Sequence, residues 1–224
     1  MKTWLITCTL LLLPFSTFAE AATLDASDSG WYNEFGFHDP NNRNYITGFA
    51  SARLTRSFFV FDLSSVTGTI ISATLRVPNF QSLSPDPSET FALFDVTTDI
   101  ATLTAGGSGL TAVYDDLGTG VSYGSGTMPG GISGASQDFL LNPAGLAALN
   151  AAGGFIAIGG AITTLSGQVL VDEYAFGFTT NLIPQLLLET SEAVPEPGAL
   201  WLAAAGIVMI CVRRFWLVSR RRDG

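Results

Sequence analysis

The two longest uninterrupted apolar runs of this sequence lie at its two ends, and they confine the soluble fold to the stretch between them. At the N-terminus, Met1-Lys2-Thr3 precedes Trp4 to Leu13, which is apolar except for Thr7, Cys8 and Thr9; Pro14 and then Phe15 to Ala21 follow. One positive residue, a short apolar core and small residues after it make a secretory signal peptide. The core is too short to span a bilayer, which takes ~20 residues. Ala19 and Ala21 are small residues at the third and first positions before a cut after Ala21, which sets the signal peptide at residues 1–21; a cut after Ala19 is the alternative. At the C-terminus, Gly198 to Val212 is a run of 15 residues without a charge, and counting on through Val218 gives 21. That length spans a membrane if Arg213 and Arg214 snorkel to the headgroups. Arg213, Arg214, Arg220, Arg221 and Arg222 all lie beyond the run. The positive-inside rule therefore puts the tail in the cytoplasm and the middle of the chain outside, as the signal peptide independently demands.

Ahead of the C-terminal run stands Val194-Pro195-Glu196-Pro197. The residue before each proline is pushed to extended conformations, so the tetrapeptide forms an accessible handle just outside the membrane. This handle, an apolar helix over about 198–218 and a terminal Arg cluster together resemble the PEP-CTERM protein-sorting signal of exosortase-bearing Gram-negative bacteria. The resemblance covers Val194 to Arg222, with a tail from Phe215 to Asp223 that is longer than the usual pattern. It implies that a membrane-embedded exosortase with a Cys nucleophile processes the chain near Pro195-Glu196-Pro197. The protein then leaves the inner membrane for the cell surface, the outer membrane or an exopolysaccharide matrix. The competing reading is a plain single-pass anchor on a Pro-rich stalk.

The exported domain is then residues 22–193. It holds Arg43, Arg53, Arg56 and Arg76 against 16 acidic residues, a net charge of −12, and no Lys. Such a balance excludes a nucleic-acid partner, which needs a basic surface. Both cysteines, Cys8 and Cys211, lie in the terminal segments, so the domain has neither a disulfide nor a thiol nucleophile. A domain of this size buries enough apolar area to fold without them.

The patterning of the middle is β. Arg56 to Leu63 is apolar on both faces, as a central strand is, and Ile71 to Val77 alternates with period two. Thr67-Gly68 between them reads as a hairpin turn. Phe91–Val96, Gln137–Leu141, Phe155–Ile158, Tyr174–Phe178 and Gln185–Glu189 are further strands, separated by Pro and Gly clusters at 84–87 and 124–134. Asn142 as N-cap, Pro143 at the first helical position and Gly153-Gly154 at the end mark one short crossover helix. A helical turn is expected over Thr111 to Leu117. The fold expected is all-β, an antiparallel β-sandwich of jelly-roll type, followed by a single C-terminal transmembrane helix. The stretch Phe59 to Ser65 followed by Ile71 to Val77 is also similar to bacterial surface β-sandwich modules with an F-D-L-S hairpin and an S-A-T-L-R-L strand, some of which bind polysaccharide. That resemblance bears on the fold more than on function.

Within the domain, His38 is the single histidine and sits in a turn-like stretch with no nucleophile elbow nearby, which reads as a loop residue without catalytic or metal duty. Asp115-Asp116 is a candidate for structural Ca²⁺, a cation that takes oxygen ligands, with Asp25, Asp28, Glu34 and Asp39 able to contribute; a solvated acidic loop is the alternative. No catalytic residue is expected, and the paired carboxylates that a glycosidase needs arise by coincidence among 16. Trp31, Tyr32, Phe35, Phe37, Tyr45, Phe49 and Tyr123 are candidates for an aromatic sugar platform, although aromatics at strand spacing are mostly core. The function expected is that of a non-enzymatic surface or matrix protein, with exosortase, membrane and exopolysaccharide as its partners. The alternative is a carbohydrate-binding or carbohydrate-active module on the same delivery system.

Overall fold

Strand-forming segments rich in β-branched and aromatic residues alternate with glycine-rich connections along the whole domain, and each segment pairs antiparallel to its neighbours. The computed structural model describes residues 19–167, 171–177 and 182–191. The signal-peptide core, the Val194–Pro197 handle, the 198–218 segment and the five terminal arginines lie outside the described residues. In chain order the elements are β1 (Ala19–Asp25), β2 (Asp28–Asn33), β3 (Thr47–Ala50), β4 (Arg53–Asp62), β5 (Thr69–Val77), β6 (Ser88–Asp95), α1 (Ile100–Ala105) and α2 (Thr111–Asp116). Then come β7 (Ser122–Pro129), β8 (Gln137–Leu140), α3 (Pro143–Ala151), β9 (Phe155–Ile162), β10 (Glu173–Ala175) and β11 (Gln185–Ser191). One sheet has the order β1-β11-β5-β8, the other β10-β3-β4-β9-β6-β7, with β2 also paired to β4. No helix of the described residues is long and apolar enough to cross a membrane.

The core between the sheets is aromatic. Phe91 of β6 lies 4.9 Å from Phe139 of β8 and 4.9 Å from Phe176, and Tyr45 stacks edge-on against Phe59 and Phe176. Burying each such ring contributes roughly 1.5–3 kcal/mol. The expectation that β4 is central holds on both faces. Phe59 and Phe61 enter this core, whereas Phe58 and Val60 face a second cluster of Tyr32, Leu103, Val113, Tyr114 and Leu117 beneath α1 and α2.

The helix α3 starts where the sequence places it. The Asn142 side chain accepts from the backbone N–H of Ala144 at 2.9 Å and of Gly145 at 3.0 Å, and Pro143 opens the helix. It leads from β8 in one sheet to β9 in the other. The turn at Thr67-Gly68 is not a hairpin. Strand β4 pairs with β2, β3 and β9, while β5 pairs with β11 and β8, so residues 63–68 arch from one sheet to the other. The arch is fixed by Asp62, whose side chain accepts from Ser64 N, and by Leu63 and Val66 packing into the core. Residues 122–129 form a strand despite their glycines. A Cβ at Gly126 would stand 2.8 Å from the Phe139 ring, so glycine is what lets β8 close over β7. The strand at 173–175 stops before the expected Phe178, because Phe176 turns to a φ of 74°.

Candidate functional site

Asp116, half of the pair read as a cation site, is committed elsewhere. It closes α2, and its two carboxylate oxygens accept four hydrogen bonds of 2.7 to 2.9 Å from the backbone N–H and hydroxyl of Thr97 and Thr98. Burial opposes its charge, but the Thr98 and Thr97 bonds outweigh burial and hold the carboxyl below its ordinary range. Asp115 stays exposed at the same turn. Its carbonyl, with that of Tyr114, receives Arg56 Nη1 at 3.0 Å, and the guanidinium lies 4.4 Å over the Tyr114 ring. The pair therefore staples α2 to β4 and to the start of α1.

The other candidate ligands disperse. Asp25 accepts from Gln185, Asp28 pairs with Arg43 at 3.0 Å, Glu34 accepts from Leu54 N, and Asp39 accepts from Asn41. Among the described residues the carboxylates that do converge are Asp86, Glu89 and Glu173, each with an oxygen within 4.8 Å of the others. Glu89 and Glu173 are buried. Glu89 accepts from Ser84 Oγ and Thr164 Oγ1, both at 2.5 Å, and Glu173 accepts from Ser166 N and, at 2.6 Å, from Ser166 Oγ. Three carboxylates offer oxygens of the kind a hard cation takes, but those of Glu89 and Glu173 already accept from serine, threonine and backbone donors. Sequence reasoning missed this trio because its members come from β6, β10 and the loop before β6, which only the fold brings together.

His38 is a buried loop residue. Its Nδ1 lies 3.0 Å from the Trp31 carbonyl, which makes Nδ1 the protonated nitrogen, and its ring packs against Tyr32 and Phe58. A backbone bridge in both directions to Gly107 ties it to the end of α1. Among the described residues His38 belongs to no cluster of three metal-ligating side chains. The aromatic candidates divide. Tyr32 and Tyr45 are fully buried, Tyr123 is buried, and Phe49 and Trp31 are half-buried, whereas Phe35 and Phe37 are 56 % and 44 % exposed. Asn33 presents those two rings on a tight loop, since its Oδ1 accepts from the N–H of both Phe35 and Phe37. Trp31 lies 6.4 Å from Phe37, and Arg53 stands 5.0 Å over Phe35. Arg43 and Arg76 pair with carboxylates, and Arg56 is bound to carbonyls. Among the described residues Arg53 donates to its neighbour's carbonyl, beside a hairpin tip where Ser51 and Ala52 both take positive φ. The result is an exposed aromatic surface with the Arg53 guanidinium laid over it.

Both ends of the domain meet at one edge. Strand β1 runs antiparallel to β11 in unbroken register, from Ala19 opposite Ser191 to Asp25 opposite Gln185. The last strand therefore lies between β1 and β5, and Pro195 is the fourth residue after its end.

No curated protein matches the chain. Among solved structures, a chain of Mud crab tombus-like virus is similar at a TM-score of 0.28 and 8% identity, over 90% of this chain and 94% of that one. At that score the likeness carries no weight for the fold. The family model of the PEP-CTERM protein-sorting motif matches residues 193–222. The match takes in Val194, Pro195, Glu196 and Pro197, the apolar run and the arginines through Arg222. The chain thus carries a PEP-CTERM protein-sorting motif at its C-terminus, which supports an exported, cell-surface-directed protein sorted by an exosortase.

Proposed function

We propose that the mature protein is a non-enzymatic component of the cell surface or extracellular matrix, of the exopolysaccharide or biofilm-associated kind. In this reading the signal peptide is removed, the segment around 198–218 holds the chain briefly in the inner membrane, and processing at Pro195-Glu196-Pro197 releases the sandwich outward. The observation that carries it is the sorting motif at residues 193–222. The sandwich behind the motif suits a structural role. Its buried carboxylates are occupied by serine, threonine and backbone donors, and its single histidine is packed among aromatics. The order β1-β11-β5-β8, in which first and last strands neighbour each other, and the run β4-β9-β6-β7 within the larger sheet support a jelly-roll reading of the fold. Replacing Pro195-Glu196-Pro197 by three alanines tests the role of the motif. Export and membrane insertion are expected to survive, and full-length, signal-cleaved protein is expected to accumulate in the inner membrane. Surface display of that variant at the wild-type level in an exosortase-bearing host would reduce the C-terminus to a plain anchor.

A second reading, carbohydrate binding, is favoured by the Trp31, Phe35 and Phe37 surface. Exposed aromatic rings on a rigid loop present faces to the apolar side of a sugar ring, and Arg53 adds a donor for its oxygens. A glycan array with the exported domain decides it: binding that disappears in Phe35→Ala/Phe37→Ala, with the thermal midpoint kept, establishes the surface. An array without a hit leaves the structural role alone.

A further inference from the structure

We infer that the cleft between residues 80–83 and 131–134 binds a neutral sugar unit, at a site separate from the Trp31, Phe35 and Phe37 surface. Its volume of about 460 Å³ lies within the range of small-molecule sites. The walls are fixed by backbone bonds. Gln81 and Ser133 form an antiparallel bridge, Ser82 N donates to the Ile132 carbonyl at 2.7 Å, and Gly134 N donates to the Asn79 carbonyl at 2.9 Å. The buried Asn79 side chain ties both walls, since its Oδ1 accepts from Ser82 Oγ at 3.1 Å and its Nδ2 donates to the Ile132 carbonyl at 3.4 Å. Leu83 is bridged in turn to Tyr174 of β10. A cleft formed in advance lowers the ordering cost of binding. Two glycines leave it open. Gly131 and Gly134 have φ of 69° and 79°, and among the described residues a Cβ at either would meet nothing within 4 Å.

The lining selects the ligand. Among the described residues that line the cleft, none carries a charge. The exported domain around it holds 16 acidic residues against four arginines, so an anion is repelled from the whole surface, and a cation is drawn to carboxylates that the cleft lacks. Charge therefore favours a neutral ligand. Phe80 and Leu83 are 51 % and 41 % exposed and give the cleft an apolar surface that includes an aromatic ring. Gln81 and Ser133 face each other across the bridge, and residues directly opposite in an antiparallel pair hold their side chains next to each other on one face. Together they offer an amide carbonyl, an amide NH₂ and a hydroxyl, which both donate and accept. A purely apolar ligand would strip water from those groups without replacing its bonds. A hexopyranose meets every one of these conditions. It is uncharged, its C–H face covers an aromatic ring, and its neighbouring hydroxyls donate and accept at its edge.

Affinity electrophoresis of the full-length protein, in a detergent without a sugar headgroup, tests the site. Gels are cast with neutral glucan, mannan or xylan, and with alginate as the anionic counterpart. At least one neutral polysaccharide is expected to retard the protein, and alginate to leave it unretarded. Phe80→Ala and Gln81→Ala are each expected to weaken the retardation at least about fivefold. Both residues are exposed, so the thermal midpoint is expected to stay at the wild-type value. Ser133→Trp fills the cleft from its other wall without truncating any side chain, and is expected to abolish retardation. Phe35→Ala/Phe37→Ala is expected to keep it, which separates the cleft from the aromatic loop. Retardation lost in that double variant but kept in Phe80→Ala overturns the inference and makes the loop the sugar site. Wild-type retardation of Ser133→Trp overturns it too, as does a failure of every neutral polysaccharide to retard the wild type. Retardation by alginate that the cleft variants abolish would show an anionic ligand and overturn it as well.

Discussion

On one face of β4, Phe59 and Phe61 meet the opposing sheet; on the other, Phe58 and Val60 meet two helices of six residues each. The first face is sealed by rings from both sheets and needs few polar bonds. The second is roofed by helices too short to persist alone, so it is hooked down by hydrogen bonds: Tyr32 OH to the Leu103 carbonyl at 2.8 Å, Asp116 to Thr97 and Thr98, and Arg56 to the end of α2. A sheet can be stabilised by area where another sheet covers it. Where short helices cover it, stability depends on particular atoms, and it becomes sensitive to single substitutions and to pH.

The largest effect that separates the faces is expected from Phe91→Ala. Its ring touches Phe139 and Phe176, and Gly160 leaves room for it, since a Cβ there would stand 2.3 Å from Phe91 Cζ. The loss is set at about 3–5 kcal/mol, read from denaturant unfolding of the exported domain. A loss below ~1 kcal/mol would mean that the inner face collapses to fill the gap, and the contrast with the roofed face would vanish.

On the roofed face, Asp116→Ala is expected to cost about 2 kcal/mol, because it leaves the Thr97 and Thr98 donors without their charged acceptor. The damage should stay local: amide exchange should rise in α1 and α2 while β5 and β11 keep their protection. Exchange that rises equally in both sheets would show that the two faces unfold as one unit.

The contrast between faces explains what the sequence discloses and what it conceals. Signals carried by neighbouring residues are legible: the Asn142-Pro143 start of α3, the alternation of β5 and the doubly apolar run of β4 all read correctly. The handle at Val194–Pro197 is legible for the same reason. Glycine misleads at 124 and 126, where it reads as a loop but serves close strand packing. Which sheet a strand joins is not a local property, so the arch at 63–68 passes for a hairpin. The convergence of Glu89 with Glu173 and the commitment of Asp116 to two threonines depend on partners far away in the chain. Tyr32 and Tyr45 carry the same letters as an exposed platform would, and only the packing of Phe58, Phe59 and Phe176 around them tells the difference.

The smallest expected effect is a pH dependence confined to the roofed face. Burial pushes the His38 imidazole below its ordinary range, while the Trp31 carbonyl and the charges of Asp28 and Asp39 pull it back in part. Burial prevails because the ring is packed between Tyr32 and Phe58 and the residue is only 4 % exposed. As pH falls through ~6.5, the unfolded chain takes up a proton that the folded chain still refuses. The unfolded state then binds more protons, so stability declines with acidity in that window. Asp116 does not contribute there. Its carboxyl lies below the usual range when folded, so its share is lost only at lower pH, as the folded carboxyl itself becomes protonated. The thermal midpoint is therefore expected to drop between about pH 7.5 and about pH 5.5, and to drop less in His38→Gln, which has no proton to gain. The drop should remain smaller than the loss in Asp116→Ala. Parallel curves for the wild type and His38→Gln would show that the imidazole titrates freely in the folded state, and that the roof over Phe58 admits water.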